Sequence, residues 1–178
     1  MASKKGLGIT IAILVGVVAA SFSVYLIPEN MDTEMKFVVS DFEKYLDDVD
    51  EKTSMLSTGV EESFGDLMNH ELSPEEYFVT ANITQQQVNS LIIELTLSGE
   101  PQEWTASYKT YVGALKKLNE QIRETVIVAN LMNEINSIDC DEECIDSMDR
   151  RLNELIPKVY ELRAESLDLI EKSNNFRP

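Results

Sequence analysis

Cys140 and Cys144 are the only two cysteines in the chain, and their spacing of four is the one pattern whose residue types suggest chemistry directly. At a frayed helix start, an i, i+4 pair brings the two alpha carbons near the upper end of disulfide range, and thiols outside the cytoplasm oxidise. An intramolecular disulfide that staples the turn is the expected use. The alternative is metal. Asp139, Asp141, Glu142 and Glu143 set hard ligands beside two soft thiolates, and copper(I) suits the thiolates. Two thiolates alone leave such a site incomplete, and His70, the sole histidine, lies in a different loop.

Other constellations are weaker. Asp47, Asp48, Asp50 and Glu51 form one acidic cluster and residues 139–149 carry another, but neither has the glycine-bearing spacing of an EF-hand loop, so both read as solvated helix faces. A diiron bundle needs Glu-x-x-His pairs, which one histidine cannot supply. The chain contains no HExxH, no GxSxG, no phosphate-cradling glycine loop and no dinucleotide fingerprint. It therefore reads as a non-enzyme with no catalytic residues and no cofactor. Asn82, Ile83 and Thr84 spell a glycosylation sequon, which implies an exposed loop if it is used.

These residues must be carried by something, and the first 27 residues say where. Residues 7–27 form an uncharged run of 21, roughly 30 Å long as a helix, which matches the hydrocarbon core of a bilayer. Lys4 and Lys5 precede the run and Glu29, Asp32 and Glu34 follow it, so the positive-inside bias places the N-terminus in the cytoplasm and the rest outside. A cleaved signal peptide ending at Val18, Ala19 and Ala20 is the competing reading, and it exports the same domain. Within the run, Gly8, Ala12, Gly16 and Ala20 recur every four residues, a small-residue face along which two transmembrane backbones can pack closely. The expected organisation is a cytoplasmic tail at 1–6, a transmembrane helix at 7–27 and an extracytoplasmic domain at 28–178.

That outer domain is strongly acidic. Net charge is −17 for the chain, with 15 Lys and Arg against 32 Asp and Glu; setting aside Lys4 and Lys5 leaves 13 against 32, or −19. Such a surface repels phosphate backbones, so no nucleic-acid partner is expected. Seven Gly and five Pro supply little turn chemistry for a sheet. Apolar residues fall instead at helical spacing, predicting an all-α antiparallel bundle of long amphipathic helices. The first helix follows Pro28 and ends near Asn69, with Phe42, Tyr45, Val49, Leu56, Val60, Phe64 and Leu67 on its stripe. The second begins at a capping-box pattern, Thr84 with Gln87; Ser73-Pro74-Glu75-Glu76 is an equally good start that adds an extra turn or two over Glu75 to Ala81. The third runs from about Pro101 to Ser137. The fourth runs from about Glu142 to Asn174, carries Ile145 through Ile170 in near-heptad register and includes Leu167 in its core stripe; Pro157 should kink or divide it.

The opening MASKKGLGITIAILVGVVAASFSVYLIPEN resembles the N-termini of small single-span exported membrane proteins of ammonia-oxidising archaea. That resemblance implies an accessory helical subunit of the archaeal copper membrane monooxygenase as one candidate, and it carries over no functional residue. A six-residue tail holds no effector, so action is expected outside the cell or in the bilayer plane. Two classes compete: a structural or accessory subunit that clasps an integral membrane protein, or a second copy of itself, through its span; and a copper or ligand carrier that uses the Cys140 and Cys144 turn.

Overall fold

A computed structural model describes residues 39–137 and 142–178, all within the unit Lys36–Pro178. It is helical throughout, with α1 at Phe42–Met68, α2 at Pro74–Leu97, α3 at Thr105–Ser137 and α4 at Glu142–Asn175. No strand occurs among the described residues. The expected span at 7–27 lies outside them, and no helix among them is long and apolar enough to cross a membrane.

Local chemistry sets each boundary. The Asp41 side chain accepts from the Lys44 backbone N–H at 3.0 Å, satisfying a first-turn donor that has no partner inside the helix. The helix expected to run on from Pro28 therefore starts at Phe42, after non-helical residues 39–41. At its other end the Glu71 N–H bonds the Asp66 carbonyl at 2.8 Å and the His70 N–H bonds that of Leu67 at 3.1 Å, a Schellman closure with His70 at φ 59°. Ser73 and Glu76 exchange the two bonds of a capping box, with Pro74 in the first turn. The start expected at Thr84 is thus overturned. Thr84 lies inside α2, where its hydroxyl donates to the Thr80 carbonyl at 2.9 Å. Gly99, at φ 64°, ends α2. A turn closed by Trp104 N–H on the Pro101 carbonyl precedes α3, so that helix starts four residues later than expected. Pro157 does not divide α4, which runs through it with the ring exposed.

Cross-helix contacts fix the topology. Ser107 meets Ser173, Ala114 meets Ser166 and Glu124 meets Lys158, so α3 and α4 run antiparallel. The same reversal pairs Asn89 with Asn119 and Tyr77 with Thr125 between α2 and α3. It pairs Tyr45 with Glu94 between α1 and α2 and Glu61 with Arg163 between α1 and α4, with Arg177, two residues past the end of α4, reaching Asp47. The result is an up-down-up-down bundle.

The central member is α3. Tyr108, Leu115, Ile122 and Ala129 form one buried stripe, Tyr111, Leu118, Thr125 and Met132 a second, and Ser107, Ala114, Gln121 and Val128 a third. Together the three stripes give α3 a broad buried face, which meets α1 through Tyr108 and Tyr111, α2 through Thr125 and α4 through Ser107 and Ala114. Ser107 and Ala114 of the third stripe meet Ser173 and Ser166 of α4, both buried, as is Val159 one heptad earlier in α4. Here the core expected at Leu167 is corrected. Leu167 is 49% exposed and Ile145 41%, because the α4 register passes onto the small Ser166 and Ser173 instead.

Candidate functional site

The residues singled out by sequence do not gather in one place. Cys144 stands in the first turn of α4. Cys140 lies outside the described residues, and no free cysteine occurs among them. Gly8, Ala12, Gly16 and Ala20 also lie outside. His70 is exposed and takes the left-handed position just after Asn69, the C-cap of α1. No group of three or more His, Cys, Asp or Glu suited to a metal ion occurs among the described residues. The sequon sits within α2, not on the expected loop: Asn82 is exposed, but Thr84 is 3% exposed with its hydroxyl committed to the helix backbone.

The site that the fold does build is a groove between α1 and α4, which sequence reading did not single out. On the α3 to α4 side, Ser107 and Ser173 each donate a hydroxyl to the other's backbone carbonyl at 2.9 Å, and Ser166 donates to the Ala114 carbonyl at 2.9 Å. A side chain as short as serine reaches a facing backbone only where two helices approach closely. Between α1 and α4, by contrast, the visible bridges are long: Arg163 reaches Glu61 and Arg177 reaches Asp47 at 2.5 Å. Drawing α4 onto α3 leaves a gap toward α1, with a volume of about 260 Å³.

Its two walls differ in chemistry. The α1 wall presents Thr53, Ser54, Ser57 and Thr58, with Asp50 and Glu61 at its ends. Facing it, α4 presents Leu167 and Ile170, with Arg163 and Ser166, and Leu118 of α3 forms the apolar floor. Asp50 is held in place, since its carboxylate accepts the Tyr111 hydroxyl at 2.8 Å. The hydroxyl string was legible as T-S-x-x-S-T, one helical turn apart in α1. Its partner wall was not, because Leu167 reads as core from its neighbours.

An aromatic cluster packs beside the Asp50 end. Phe42, Tyr45 and Trp104 surround Tyr108 with ring centroids 6.0, 6.4 and 6.2 Å away. The Tyr108 hydroxyl donates to the Phe42 carbonyl at 3.0 Å, tying α3 to the first turn of α1. Burial pushes the Tyr77 and Tyr108 hydroxyls up to about 12 and raises that of Tyr111 further, where Asp50 adds to the effect. These phenols are neutral structural donors at physiological pH. On the opposite flank, Lys117 bridges Glu165 at 2.9 Å and Glu120 at 3.1 Å, and these carboxylates raise its pKa.

Compared with known proteins, the chain matches no family model, no curated protein and no solved structure.

Proposed function

We propose that the protein is a membrane-anchored, extracytoplasmic helical subunit without catalysis of its own, which clasps an integral membrane partner through residues 7–27 and through the faces of its bundle. The observation that carries this reading is a row of apolar side chains on the outer face of α2. Val79, Ile93 and Leu97 are 61%, 51% and 55% exposed. Val79 and Leu97 are 18 residues apart, five full turns, so they point the same way about 27 Å apart along the helix. Ile93 lies about 40° from that line. Gln86 and Ser90 stand on the same line between Val79 and Leu97, so the face offers apolar contacts at its two ends with polar ones between, a mixed surface on which a partner could rest. The small-residue face of Gly8, Ala12, Gly16 and Ala20 supports the same reading within the bilayer, where packing drives association.

Replacing Gly16 by Leu raises hydrophobicity, so insertion and export should continue while close backbone contact is lost. On a native gel of membranes solubilised in mild detergent, the Gly16→Leu protein should leave the assembly that holds the unaltered chain. An unchanged band with unchanged crosslinks would remove the in-membrane half of the proposal.

A further inference from the structure

We infer that the groove between α1 and α4 is a binding site for a small amphiphilic organic cation, a primary alkylammonium, with Asp50 as its counter-charge. The size of the groove excludes larger occupants. The Arg163 to Glu61 bridge stands at one end, the Arg177 to Asp47 bridge lies beyond the other, and a partner helix would have to break both. A volume of about 260 Å³ falls below the ~300 Å³ at which pockets for drug-sized ligands begin.

The charges then choose the sign of the ligand. Arg163 is neutralised by Glu61, whereas among the described residues no Lys or Arg pairs with Asp50. The groove thus carries one uncompensated negative charge, on a carboxylate already oriented by Tyr111. An ammonium placed there gains a charge-assisted hydrogen bond to Asp50, and the exposed Ser54 hydroxyl beside it can accept a second hydrogen bond, Thr53 being buried with its own hydroxyl bonded to the Val49 carbonyl. Its hydrocarbon tail is what the other wall requires, since Leu118, Leu167 and Ile170 are apolar and Leu167 is half-exposed without a ligand. An anion meets the wrong charge. A neutral alcohol satisfies the apolar wall but leaves Asp50 uncompensated.

The test is a titration of the full-length chain in detergent with n-butylammonium, followed by NMR of the Ile and Leu methyl groups. Saturable shifts are expected at Ile170 and Leu167, with no saturation by 1-butanol. Asp50→Asn keeps an acceptor for the Tyr111 hydroxyl and so keeps the fold, as the unperturbed remainder of the spectrum should show. It should weaken butylammonium binding at least ten-fold. The inference is overturned if no saturable shift occurs, if 1-butanol binds equally well, or if Asp50→Asn binds as tightly as the unaltered chain.

Discussion

His70 shows how a residue that looks chemical can be conformational. As the lone histidine it invites a ligand role, yet its φ of 59° places it at the left-handed position of the Schellman closure that ends α1. Glycine occupies that conformation without a Cβ penalty of about 1–2 kcal/mol. His70→Gly should therefore stabilise the domain by roughly 1 kcal/mol in urea melts; a loss of stability would mean that the imidazole makes a contact its exposure does not suggest. Tyr77 is the opposite case, a polar group whose burial is the point. Its hydroxyl, 2.5 Å from Thr125 and raised to about 12, stays protonated in the folded chain, while unfolded tyrosines ionise near 10. A raised pKa makes its contribution complete below pH 10 and erodes it as pH climbs toward 12, because the unfolded state releases its proton first. The urea midpoint should fall across pH 10 to 12, and less steeply in Tyr77→Phe. A midpoint that falls just as steeply in Tyr77→Phe would contradict this.

At the scale of elements, what decides the architecture is the difference between two seams. The α3 to α4 seam is closed by Ser107, Ala114, Ser166 and Ser173, and the α1 to α4 seam is spanned by arginines. Ser107→Ala removes the hydroxyl side of the clasp and should cost about 1 kcal/mol. Ser107→Leu must also force the helices apart at a site that is 0% exposed, and should cost about 1–3 kcal/mol more than that. Equal urea midpoints for the two variants would show that the seam is not closely packed. This is also where the sequence was hardest to read. The stripes of α3, from Tyr108 to Met132, are evident because large apolar residues mark them. The α4 register is not, since its last two heptads land on Ser166 and Ser173, and a search for apolar residues slides to Leu167. The start of α2 was ambiguous for a related reason: Thr84 with Gln87 and Ser73 with Glu76 have the same pattern, and only the bonds actually made by Ser73 separate them. The groove depends on α4 being drawn onto α3, so its hydroxyl wall was legible and its existence was not.

For the whole molecule, the described bundle is a scaffold with its core filled from α3 outward, an apolar row on α2 and a small polar-walled groove on the far seam. The proposal joins this scaffold to the uncharged run at 7–27 and assigns the work to association and not to catalysis. A carrier that uses Cys140 and Cys144 would behave differently: it would act alone and take up copper. The most direct measurement is purification from the native membrane in mild detergent, with mass-spectrometric identification of what accompanies the chain and metal analysis of the same fraction. The account predicts that it resists extraction by salt and co-purifies in fixed ratio with a larger integral membrane protein, with no copper of its own. Recovery of a lone, copper-loaded chain from a salt wash would contradict it.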